Sequence, residues 1–302
     1  MTEFPAIIEG SGPLARFIGD NRRALDAALG RSGAVLMRGF DVPDPIAFDA
    51  AVEAYDEPGF TYEDSLSNAV RTNVTPRVFT ANEAPPSTEI FLHHEMAQTP
   101  LYPSRLFFYC EIAAPAGGTT PLCRSDRVLA RLEAEAPDFV ARLAAEGVRY
   151  TNVMPGDDDA GSGQGRSWRS TLSAAYKEDA EVRLRELGYA WEWCADGSLR
   201  ATTPVLAAIC TLPDGRRTFF NQLIAAFRGW ADIRNDPTHA ITFGDGAPIT
   251  SADMAPAITI ADELTHDLAW QAGDVALVDN FLVMHGRRPF EGKRRVLASL
   301  VA

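Results

Sequence analysis

The chain has few of the residues that disulfide-stapled or zinc-stabilised folds depend on. Its four cysteines, Cys110, Cys123, Cys194 and Cys210, are widely spaced, and none forms a CxxC pair. A zinc knuckle or dithiol redox centre is thereby excluded, and reduced core thiols are expected. No stretch reaches the roughly 18 consecutive apolar residues of a membrane span. The opening MTEFPAIIEGSG has neither the basic start nor the apolar run of a secretory signal, so a cytoplasmic location is expected. Positive charge is also in deficit, 28 Lys plus Arg against 41 Asp plus Glu for a net charge of −13. Such a surface repels a polyphosphate backbone and argues against nucleic acid as a partner. An anionic small molecule would need a local cluster of arginines to bind.

With 46% apolar and 23% charged residues the chain has the balance of an ordinary globule, and one domain spanning 1–302 is expected. Pro13 to Arg31 carries apolar residues near a 3.6-residue period and predicts a helix. Ala34 to Phe40 follows as a buried strand, and Asp44-Pro45 supplies a cap and first-turn proline for a second helix. Leu106 to Ala114 and Val148 to Val153 read as strands; between them, two helices meet at Pro137. Thr171 to Leu187 and Ser251 to Leu268 carry helical patterns. Asp196-Gly197 and Asp214-Gly215 signal hairpins. Asp274 to Asn280 and Arg294 to Ala302 close the chain as strands. Antiparallel strands with inserted helices, and no run of βαβ units, predict a mixed, mainly β fold: a double-stranded β-helix, or jelly roll, with helical insertions. The small polar segment within 154–168 is a candidate lid.

Histidine is scarce too, with five in the chain, yet two stand beside a carboxylate in Ile90-Phe-Leu-His-His-Glu-Met96. In an extended segment His93 and Glu95 share a face and His94 turns away. His285 follows the strand DVALVDN in a polar passage, VMHGRRPF, that suggests a rim position. Two imidazoles and a carboxylate on one face of an octahedral metal leave three positions open, the pattern of non-haem iron oxygenases. Arg287, Arg288, Arg294 and Arg295 follow His285 closely. They suit either a solvated basic edge or a dicarboxylate clamp, and a strand, turn and return strand could bring Arg295 back beneath the metal.

The runs HHEMAQ (His93 to Gln98), PSRLFFYCEI (Pro103 to Ile112), GGTTP (Gly117 to Pro121), RNDP (Arg234 to Pro237), TFGDG (Thr242 to Gly246) and RRPFEGKRRVLASL (Arg287 to Leu300), with NEAPP (Asn82 to Pro86), resemble clavaminate-synthase-like proteins of the taurine dioxygenase superfamily. The likeness runs from about Ala34 to the C-terminus. It implies a jelly roll, iron(II) held by His93, Glu95 and His285, and 2-oxoglutarate and O2 as co-substrates. It further implies that Arg295 pairs with the distal carboxylate of 2-oxoglutarate and that Thr120 hydrogen-bonds the same molecule. Many relatives carry a second arginine four residues further on, where this chain has Ser299. Glu95 in the carboxylate position disfavours halogenation and leaves hydroxylation of a small, amino-acid-like or carboxylate substrate as the implied reaction. Trp168, Arg169, Asn221 and Arg228 lie in segments similar to pocket-lining parts of these relatives. A jelly-roll protein that binds a metal or small ligand without turnover is the alternative, and zinc hydrolysis a third reading.

Overall fold

In the strand Ala34–Arg38 successive side chains point to opposite faces of a sheet, and four of the five residues are buried. The computed structural model describes residues 4–60, 66, 71–81, 84–159, 165–230 and 234–302. In it Val35 and Met37 pack against Leu14, Ile18, Leu25 and Leu29 of the helix Leu14–Ser32. Ala34 and Leu36 turn the other way and share a core with Leu122 and Val283 of a second sheet. The helix therefore covers one face of the first sheet, and the second sheet covers the other.

The first sheet has six strands, in the order Ala6–Glu9, Ala34–Arg38, Val275–Asp279, Arg105–Ile112, Arg295–Val301 and Phe79–Thr80. Its first pair is parallel and the others are antiparallel. The second sheet has the order His266–Leu268, Thr120–Arg124, Val283–Arg287 and Ile90–His93, antiparallel throughout. A third, of Ile241–Phe243, Val148–Met154, Leu199–Thr202 and Ala190–Trp193, sits among the helices. The fold is thus mixed α/β, with the strands of the first two sheets drawn from both ends of the chain.

Local signals account for most boundaries. Gly33, at φ 85°, ends the first helix in a left-handed cap. Asp44 accepts a hydrogen bond from Ala47 N at 2.8 Å and caps the helix Pro45–Glu53. Pro137 starts Pro137–Glu146 immediately after Ser125–Glu135, and both Asp-Gly dipeptides join paired strands. Two expectations need correction. The helix predicted over Thr171 to Leu187 is two helices, Trp168–Leu172 and Lys177–Glu186, because Ser173 adopts φ 51° between them. His285 lies inside the strand Val283–Arg287 and is 6% exposed, so it is not a rim residue. The four thiols are free, with Cys110 and Cys123 buried and Cys194 and Cys210 partly so.

Candidate active site

His93 and His285 face each other because Ile90–His93 pairs antiparallel with Val283–Arg287 in a register that sets one histidine opposite the other. Their ring centroids are 4.4 Å apart. Gly286 permits this approach: a Cβ there would stand 2.3 Å from the Ile90 carbonyl oxygen, and the register slips between His285 and Arg287. His93 Nδ1 lies 2.8 Å from the Phe91 carbonyl. A carbonyl can only accept, so Nδ1 carries the proton and Nε2 keeps its lone pair.

Glu95 completes the group. Its Oε2 lies 3.9 Å from His93 Nε2 and 3.6 Å from His285 Nε2, and one donor atom from each of the three residues falls within 4.8 Å of the others. Oε1 accepts from Arg71 Nη2 at 2.8 Å. Burial opposes ionisation of Glu95, but the Arg71 guanidinium and the imidazoles outweigh it and hold the carboxyl far below the usual carboxylate range. Burial, reinforced by nearby His285, lowers the His93 pKa to about 4. At neutral pH the group thus offers an anionic oxygen and an unprotonated imidazole, the form in which such side chains ligate a divalent metal. Two nitrogens and one carboxylate oxygen, with no thiolate, fit iron(II) with open positions.

The three residues line a cavity of about 220 Å³ shared with Arg71, Thr120, Arg287 and Arg294. Trp270 Nε1 donates to Thr120 Oγ1 at 2.9 Å, which leaves the threonine proton free to donate to a ligand. Val296 and Ala298 also face this cavity, and by strand alternation so does Arg294. Arg295 is on the opposite side, where its Nη1 pairs with Glu111, and Ser299 is likewise turned from the cavity. Arg294 Nε donates to the Gly118 carbonyl at 2.9 Å. Burial, with Arg287 close by, depresses its pKa to about 10. Arg287 donates to the carbonyls of Ala84, Pro85 and Thr88.

The remaining sequence candidates are not brought to this cavity. Trp168 is 1% exposed in the apolar core. Asn221 is buried and ties the Ala208 carbonyl to Leu223 N. Arg169 and Arg228 are exposed, beside Gly156 and Asp262 respectively. Within the candidate lid, 160–164 lie outside the described residues. His94 turns from the triad and is fully buried, although the strand whose alternation suggested this ends at His93. Sequence reasoning did not find Arg71, Gln98 or Trp270, and of the arginines it grouped as a possible dicarboxylate clamp it chose Arg295 where the cavity holds Arg294. For Arg294 a signal existed in the period-two pattern of RRVLASL; for Arg71 nothing local marks it.

Residues 8–300 match the family model described as taurine catabolism dioxygenase TauD, TfdA family, and the chain belongs to that family. It is 45% identical over 277 residues to a clavaminate synthase-like protein of Arabidopsis thaliana, covering 91% of this chain and 83% of that one. It is 30% identical over 292 residues to a dapdiamide synthesis protein of Enterobacter agglomerans, covering 92% and 84%. Among solved structures, asparagine oxygenase with Fe(II), a hydroxyasparagine and succinate is similar in fold, with TM-score 0.55 at 16% identity over 95% of this chain and 78% of that one. The chain is therefore a dioxygenase of the iron(II)- and 2-oxoglutarate-dependent class, an oxidoreductase, as its motifs implied. Among the described residues no helix is long and apolar enough to cross a membrane.

Proposed function

We propose that the protein hydroxylates an unactivated C–H bond of a small amino-acid-like or carboxylate substrate, consuming O2 and 2-oxoglutarate and releasing succinate and CO2. The observation that carries this reading is the convergence of His93, Glu95 and His285 with Arg294 and Thr120 in one cavity. We take 1–302 as a single domain and the first two sheets as the halves of a jelly roll, since they share one core.

In this reading His93, Glu95 and His285 hold iron(II), which when bound supplies the oxygen chemistry. Arg294, and not Arg295, receives a carboxylate of 2-oxoglutarate. It is a half-buried guanidinium close to another, with no carboxylate partner among the described residues, and an entering dianion would supply the missing countercharge. Thr120 donates its hydroxyl proton to the same co-substrate. Phe91, Phe108, Trp230, Val296 and Ala298 line the rest of the cavity and exclude water from it. Arg71 and Gln98 are among the polar groups placed to orient the substrate, with Gln98 Oε1 buried and without a partner among the described residues.

The test is an anaerobic titration of apoprotein with iron(II) and 2-oxoglutarate, following the weak visible charge-transfer band of the chelate. At limiting 2-oxoglutarate the band is retained in Arg295→Ala and lost in Arg294→Ala. The opposite pattern removes Arg294 from its role. Absence of the band in the unaltered protein favours a metal- or ligand-binding protein without turnover, or a zinc site.

A further inference from the structure

Glu95 is the one member of the triad that no strand holds. The strand Ile90–His93 stops two residues before it, and Met96 just after it adopts φ 60°, so the sheet ladder cannot set its place. A buried side chain grips its main chain on both sides instead, while Gln222 Nε2 holds the neighbouring His94 carbonyl at 3.0 Å. Asn280, fully buried, accepts from Glu95 N at 2.7 Å through Oδ1 and donates from Nδ2 to the Glu95 carbonyl at 3.0 Å and the Pro103 carbonyl at 2.8 Å. Its backbone carbonyl accepts from His94 Nδ1, and its N–H donates to Ser104 O at 3.0 Å. Every hydrogen-bonding group of Asn280 is thereby engaged with the segments 94–95 and 103–104. The same residue stands in the connection between Val275–Asp279 and Val283–Arg287, five positions before His285. One connection therefore delivers one imidazole and grips the backbone of the carboxylate residue.

We propose that Asn280 is a positioning residue that sets the separation of the Glu95 carboxylate from the His285 imidazole, acting through the main chain of Glu95. This rests on the triad being the metal site. The side-chain amide accepts from one main-chain N–H and donates to two carbonyls at once. Asn280→Asp keeps the size and the acceptor but places oxygen against two carbonyls, and so pushes the Glu95 segment away.

Asn235 provides a matched comparison: it is also buried, its Oδ1 accepts from Val153 N at 2.7 Å, its Nδ2 faces Val153 O at 3.5 Å, and it does not line the cavity. The experiment is titration of the full-length apoproteins with Co(II), read by visible absorption, alongside thermal unfolding of each. Asn280→Asp is expected to bind Co(II) roughly 10–100-fold more weakly, the range for outer-shell partners of metal ligands. Asn235→Asp is expected to lower the unfolding temperature while leaving Co(II) affinity unchanged. If Asn280→Asp does not fold, Asn280→Ala, which leaves room for water, takes its place. Unchanged affinity in the Asn280 variant, or equal losses in the Asn280 and Asn235 variants, overturns the proposal. Failure of the triad reading itself is seen separately, as a Co(II) isotherm that His285→Ala does not alter.

Discussion

Replacing Arg71 by methionine tests the electrostatics of the site without touching a metal ligand. The Arg71 and Glu95 side chains are 9% and 7% exposed and joined at 2.8 Å, so removing the cation strands a buried carboxylate. Unit charges about 4 Å apart at an effective dielectric constant near 20 attract by about 4 kcal/mol. Breaking a buried pair from one side costs about 3–5 kcal/mol. At about 2 °C per kcal/mol for a chain of this size, the apoprotein should melt roughly 8 °C lower. A divalent ion restores the countercharge, so saturating Co(II) should raise the melting temperature of Arg71→Met by more than it raises that of the unaltered protein. Differential scanning calorimetry of both proteins, with and without Co(II), gives the four temperatures needed. Apoproteins that melt within a degree or two of each other, or equal shifts on adding metal, would refute the reasoning.

Other perturbations separate the remaining roles. Arg294→Ala should weaken 2-oxoglutarate binding roughly 10–100-fold, the loss of a charge-assisted contact worth about 1.5–3 kcal/mol, measured by titration calorimetry; Arg295→Ala should change it little. Glu95→Ala and His285→Ala should each abolish iron retention after desalting, read by metal analysis. Burial pushes His93 and His94 down from 6.5 to about 4 and about 3. Between those values the unfolded chain binds protons that the native state refuses, so this stability is complete above pH 6.5 and is lost as pH falls through 6.5 towards 4 and 3. Urea midpoints of the apoprotein at pH 7 and pH 4.5 should show that fall, and His94→Gln should make it shallower. Gly286→Ala sets a methyl group 2.3 Å from the Ile90 carbonyl oxygen and should lower both stability and Co(II) affinity, because the two imidazole-bearing strands must part.

The sequence by itself determined the family, the strands and helices with strong periodicity or capping, and the grouping of His93, Glu95 and His285, because those depend on motif order and local backbone preference. It also anticipated His94 off the metal face, although the strand whose alternation that expectation assumed ends at His93. Alternation puts the two neighbouring arginines on opposite faces, but tertiary structure decided which face meets the cavity. Arg294 and Arg295 are adjacent and chemically identical, and it is the pairing of Arg295–Val301 with Arg105–Ile112 that sets one towards the cavity and the other beside Glu111. Trp168, Asn221 and Arg228 went to core and surface because aromatic and amide groups serve packing and loop closure as readily as ligands. Arg71 and Asn280 meet Glu95 across 24 and 185 residues of chain. Contacts at such separation leave no local trace, because they are set by which strands pair and not by what any segment prefers.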